Sequence, residues 1–99
     1  MKGSEKQIKW AEDILANGKA TITRNIELDK ERLAKYGDIM FAESIEIWEQ
    51  IEAEYDKIIA NVTDASEIIA KRHRLSPDAL IREVNLRQME MENKRRSNK

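Results

Sequence analysis

From Ile39 to Val62 the apolar residues Met40, Ile47, Ile51, Tyr55, Ile58 and Val62 recur at spacings of three, four and seven, with no glycine or proline among them. Recurrence at that period lays a stripe along one face of an α-helix. Trp48 and Phe41 fall within the same arc, and Asp38 stands ahead of the run as a capping residue. At about 1.5 Å per residue such a helix extends roughly 36 Å, more than a small domain needs for one core helix. In a chain of 99 residues it is therefore expected to be the spine of a single domain. The fold predicted is all-α: a compact bundle of four or five helices around one long central amphipathic helix. It should occupy residues 1–92, with the basic stretch 93–99 expected to be a disordered tail.

The flanking sequence divides at its own stop and start signals. Ser4 with Gln7 forms a capping-box pair ahead of Ile8, Trp10, Ala11, Ile14 and Leu15, and Gly18 is positioned to end that helix at about residue 17. A second helix follows through Ile22, Ile26 and Leu33 to the stop at Gly37, and the β-branched run Thr21-Ile22-Thr23 admits a short extended stretch at its start. Trp10 is expected to pack the first helix onto the long one. Beyond Val62, Asp64 with Glu67 offers another cap before Ile68, Ile69 and Ala70. Ser76-Pro77 then places a cap residue and a first-turn proline ahead of a last helix with Leu80, Ile81, Val84 and Met91 inward.

The chain has no cysteine, so disulfides, thiolate metal sites and cysteine nucleophiles are excluded. No apolar run approaches the roughly 20 residues that span a bilayer, and no leader-like stretch opens the chain, so a cytoplasmic protein without membrane contact is expected. The three glycines are scattered and the serines have no local histidine partner, which leaves no phosphate loop, dinucleotide fingerprint or nucleophilic triad. A non-enzymatic protein with no cofactor is the expectation.

Charge is distributed unevenly. The formal net charge is −1, yet residues 1–37 carry +2, residues 38–67 carry −8 and residues 68–99 carry +5. Within the acidic middle, ESIEIWEQIEAEYD at 43–56 holds six acids and no base. Like charges one helical turn apart, such as Glu52 with Asp56, repel by a few tenths of a kcal/mol. Two readings follow. Either the acids serve as an outer face paired with the basic end of the chain, or Glu43, Glu46, Glu49, Glu52 and Asp56 form a ridge presented to a basic partner surface, including one that ordinarily holds nucleic-acid phosphates. A carboxylate metal centre lacks its glutamate-x-x-histidine element, and His73 is the sole histidine.

Residues 65–84, ASEIIAKRHRLSPDALIREV, resemble the helix-turn-helix segments of small DNA-binding proteins: Ala70 in the first helix, a turn closed by Leu75, and Ser76-Pro77 opening a second helix backed by Leu80 and Val84. The resemblance implies DNA contacts from Lys71, Arg72, Arg74, Ser76, Arg82, Asn85 and Arg87. Arg74 departs from that pattern, which favours glycine in the turn. A second resemblance is carried by GSEKQIKWAEDI at 3–14 and TDASEII at 63–69, which are similar to segments of short helical proteins of bacteria, their phages and mobile elements. It implies an accessory protein of the kind that includes anti-defence proteins and regulators. The leading expectation is thus a phage or mobile-element inhibitor, anti-CRISPR-like in manner, that binds a host nucleic-acid-handling complex through the acidic face. The alternative is a small DNA-binding regulator using residues 65–87. A homodimer is compatible with both, since a long stripe can finish its burial against a second copy.

Overall fold

A computed structural model describes residues 1–97 and shows five helices: α1 (Glu5–Tyr36), α2 (Ile39–Asn61), α3 (Ala65–Ala70), α4 (Arg72–Leu75) and α5 (Pro77–Ser97). The all-α class holds, but the longest helix is α1 and not the expected Ile39–Val62 element. Gly18 does not end a helix. It lies buried in mid-helix, on a stripe formed by Ala11, Leu15, Gly18, Ile22, Ile26 and Asp29 that keeps its phase across the glycine. Nor does Thr21-Ile22-Thr23 open into an extended stretch: the Thr21 hydroxyl donates back to the Asn17 carbonyl at 3.0 Å and Asn25 Nδ2 donates to the Thr21 carbonyl at 2.8 Å, so residues that compete with helix elsewhere are satisfied within it.

The helix ends follow the sequence closely. Ser4 and Gln7 close a reciprocal capping box at the start of α1. Gly37 ends α1 in the left-handed conformation, φ 65°, with its N–H donating to the Leu33 carbonyl, and Asp38 at once caps α2 by accepting from the Met40 N–H. Two residues thus turn the chain back on itself. Asp64 caps α3 through the Ser66 N–H and hydroxyl, and these two hydrogen bonds hold its carboxyl below the usual range. Lys2 pairs its backbone with Thr63 and Ala65, which ties the N-terminus to the α2–α3 connection. Residues 93–97 continue α5, in contrast to the tail expected there, and residues 98 and 99 of that expectation lie outside the described residues.

The core is one cluster along the α1–α2 seam, closed at one end by α3 and α4 and along its length by α5. Ile22, Ile47, Trp48, Ile51 and Tyr55 are buried within the single chain, joined by Ala65, Ile68, Leu75, Leu80 and Val84. The α2 stripe is therefore covered by the chain's own helices. Three assignments shift at the ends of the stripes: Met40 and Ile81 are exposed, and Trp10 is 48% exposed rather than packed on α2. The principal extents are 53 × 29 × 20 Å, and the radius of gyration of 15.8 Å exceeds the roughly 13 Å usual for this length. A 20 Å short axis is two helix diameters, so grooves between helices stay open to solvent instead of being roofed by a third layer.

Tyr55 ties three elements together at the centre of this core. Its single O–H is shared between the carbonyls of Ile14 in α1, at 3.2 Å, and of Leu75 in α4, at 3.4 Å. Burial pushes the phenol up to about 12. A tyrosine in the unfolded chain ionises near pH 10, so the buried neutral phenol contributes its full stability below about pH 10 and loses it as pH rises toward 12. Alkaline titration of a Tyr36→Phe chain is expected to show the remaining phenolate band emerging only near pH 12, together with loss of helical circular dichroism. A phenolate appearing near pH 10 with the helices intact would put Tyr55 in solvent and contradict this packing.

Candidate functional site

The acidic helix face is largely engaged with the chain's own bases. Lys19 of α1 reaches Asp56 at 2.6 Å and Glu52 at 3.4 Å, and the hydrogen bond to Asp56 is the main reason its ammonium is held above the usual lysine range. Arg95 of α5 meets Glu43 at 2.8 Å, and Arg87 of α5 reaches Glu54 at 3.1 Å and Glu83 at 2.9 Å. Partial burial works against the Arg87 charge, and the two carboxylates outweigh it. Exposed pairs of this kind contribute little stability each, about 0–1 kcal/mol. Their consequence is spatial, because they leave Glu46 and Glu49 as the acids of the ridge with no ion-pair partner among the described residues. Those two project from the outer side of α2 beside Ala42, Ile45, Gln50 and Ala53, over a shallow hollow.

The most developed concave surface lies on the other flank of α2. A groove of about 740 Å³ runs between α2 and α5 and is closed at one end by α4. The two long helices are antiparallel here, since the ion pairs join Glu54 to Arg87 and, further along, Glu43 to Arg95. The floor is apolar: Ile51, Tyr55, Ile58, Leu75 and Leu80 lie along it, and Leu86 stands on the α5 wall with 55% of its surface exposed. The rim is basic. Lys71 and Arg74 approach from the α4 end and Arg82 from α5, none with a carboxylate partner among the described residues, and His73 stands beside them. Arg87 also lines the groove, with Glu54 and Glu83.

The bases expected to act together are thus only partly assembled. Lys71, Arg74, Arg82 and Arg87 share the groove. Arg72 turns away, its guanidinium 5.5 Å from the centre of the exposed Trp10 ring and donating to the Ile69 carbonyl at 2.7 Å. The Ser76 hydroxyl is occupied in capping α5 through the Ala79 N–H at 3.3 Å. Asn85 lies on the opposite side of α5, in a smaller hollow with Asn25, Asp29 and Arg32.

The helix-turn-helix geometry implied by residues 65–84 is not formed among the described residues. In that motif the two helices pack on each other across a tight turn. Here α3 packs on α1 and α4 and makes no contact with α5. A second short helix, Arg72–Leu75, replaces the turn, and no non-glycine residue in it adopts positive φ. Arg74 is accommodated because the left-handed conformation that would call for glycine does not occur. Among the described residues, no three His, Asp or Glu side chains lie close enough to hold a metal ion, and no helix is long and apolar enough to cross a membrane.

One feature of the groove carried a signal in the sequence and another did not. Leu86 falls outside the Leu80–Val84–Met91 stripe of the last helix, which leaves it an apolar side chain off the core face. Ile58 belonged to the α2 stripe, but its position at the edge of the core depends on where α4 ends, which no local pattern states. In comparisons with known proteins, no protein family, curated protein or solved structure matches the chain.

Proposed function

We propose that this chain works by binding another protein, and that the contact surface is the α2–α4–α5 groove. The observation that supports this reading most is the exposed Leu86 above an apolar floor, ringed by the unpaired bases Lys71, Arg74 and Arg82. Protein contact surfaces combine an apolar centre with a polar rim, and a side chain such as Leu86 becomes valuable once a partner covers it. The acidic ridge favoured from sequence is the weaker candidate, because Glu43, Glu52 and Asp56 already have partners in the chain. The likeness of residues 3–14 to short proteins of bacteria, phages and mobile elements supports an accessory role. In that role the chain would inhibit a host complex, such as one that handles nucleic acid, by occupying one of its docking elements.

The test is capture from nuclease-treated host lysate with three full-length chains: wild type, Leu86→Glu, and the double variant Glu46→Lys, Glu49→Lys. Leu86 and the two glutamates are exposed, so all three chains should keep the same melting temperature. The expected result is a protein captured by wild type and by the double variant and lost with Leu86→Glu. Capture that survives Leu86→Glu and fails with the lysine variant would return the site to the acidic ridge. A parallel capture from untreated lysate completes the test, and a partner retained there but absent after nuclease treatment would favour the DNA-binding alternative.

A further inference from the structure

Resting on the groove as the contact surface, we infer that its occupant is an acidic amphipathic helix of a partner protein, seated with an apolar stripe on the floor and carboxylates against the rim. The groove lies between two antiparallel helices, and the shape that fits such a trough is a third helix, whose side-chain ridges enter the spaces between the existing ones. An extended strand would need an open sheet edge, and the described residues contain no strand. A helix docked this way presents anchors at i, i+3 or i+4, and i+7, and Ile58, Ala79 and Leu86 are the partly or well exposed apolar side chains available to receive them.

Charge decides the flanks. Four permanent cations line the groove, Lys71, Arg74, Arg82 and Arg87, against two carboxylates, Glu54 and Glu83, and both carboxylates are already held by Arg87. Lys71, Arg74 and Arg82 therefore stand as unneutralised positive charge around an apolar strip. A basic partner helix would meet like charge at three points, while an acidic one would be steered in and held at its edges.

The same surface suits a nucleic acid poorly. Single strands are gripped by several exposed aromatic rings on which successive bases stack, whereas in this groove Tyr55 is 2% exposed and His73 supplies one exposed imidazole. Duplex DNA offers phosphates to the rim but only scattered thymine methyls and sugar carbons, and no continuous apolar stripe, to cover Leu86 and Ile58.

A library of helical peptides displayed on phage, with apolar anchors fixed and all flanking positions free to be acidic, basic or neutral, tests the inference against the full chain. Duplex DNA and sedimentation of the protein alone are run in parallel. Expected is enrichment of peptides with Asp and Glu on both flanks, bound about tenfold or more weakly by Leu86→Glu and by Arg74→Glu, Arg82→Glu, and weakened by salt. Enriched peptides that depend on Leu86 but carry basic or unselected flanks would overturn the acidic occupant and leave the groove standing. A Leu86-dependent dimer would replace the occupant with a second copy. Absence of any Leu86-dependent peptide, or a DNA complex lost with Arg82→Glu, would overturn the groove reading itself.

Discussion

Gly18→Ala is expected to lower the melting temperature by about 10 °C, although the substitution improves helix propensity. Alanine in a helix interior is favoured over glycine by about 1 kcal/mol, so a surface site would be stabilised. At position 18 an added methyl would run into the Tyr55 phenol, including its Cζ at 2.5 Å, and would lie 2.9 Å from the Leu75 backbone carbonyl. Neither neighbour can give way freely. Tyr55 is 2% exposed and anchored by hydrogen bonds at both sides, and the Leu75 carbonyl belongs to α4. Overpacking of a close-packed core costs about 3 kcal/mol at its upper range, which leaves a net loss near 2 kcal/mol and a shift of roughly 4–8 °C for each of them. Thermal unfolding followed by circular dichroism measures it. An unchanged or raised melting temperature would mean that α1, α2 and α4 do not meet at this point. Tyr55→Phe should recover part of the loss in the double variant, because the hydroxyl is the atom met first.

Trp48→Ala should cost more, about 3–5 kcal/mol, out of the 5–15 kcal/mol by which domains of this size are usually stable. Trp48 is 3% exposed and is the largest side chain on the α1–α2 seam. The thinness of the molecule sharpens the effect, because a cavity there has few second-layer side chains to collapse into it. Urea unfolding should show a midpoint lowered by about a fifth at the least, and by more if the chain lies at the low end of that range, while Trp48→Phe keeps most of the stability. Circular dichroism is the suitable probe, since the exposed Trp10 would otherwise dominate the fluorescence that remains. A loss below about 1 kcal/mol would show that the seam is not packed as described.

These two sites also show how the sequence could be read and where it misled. The caps were legible because they are local: Ser4 and Gln7, Gly37 and Asp38, and Ser76 each do in the structure what their spacing announces, and Asp64 caps α3 as expected but through Ser66 and not through a pair with Glu67. Gly18 has the same identity as a stop signal and the opposite role. The distinguishing clue was the stripe Ala11, Leu15, Ile22 and Ile26, which stays in phase across it. A glycine that interrupts no periodicity marks a close approach from another element, and its partner, Tyr55, lies 37 positions away. Trp10 was misplaced for a related reason: it adjoins the buried Ala11 in sequence, but its direction puts it against Arg72 at the start of α4.

The acidic segment poses the hardest case. Its composition was plain, and so were the two ways its charge could be balanced. Which of them holds depends on Lys19, Arg87 and Arg95 arriving from other helices, and helix directions had to be known before those pairs could be formed. The same geometry that neutralises Glu43, Glu52, Glu54 and Asp56 leaves Lys71, Arg74 and Arg82 without carboxylate partners among the described residues. An excess of acid in the middle of the chain has thus become an excess of base along one groove, and the contact surface we propose moves from the outer face of α2 to its α5 flank.

Amide-resolved NMR of the labelled full-length chain, saturated with an acidic peptide retained by the selection, tests that relocation most directly. The account predicts that the largest shift changes fall on Ile58, Lys71, Leu75, Arg82 and Leu86, with Ala42, Glu46 and Glu49 unmoved. Changes centred on Ala42, Glu46 and Glu49, or on Trp10 and Arg72, with the groove silent, would contradict it.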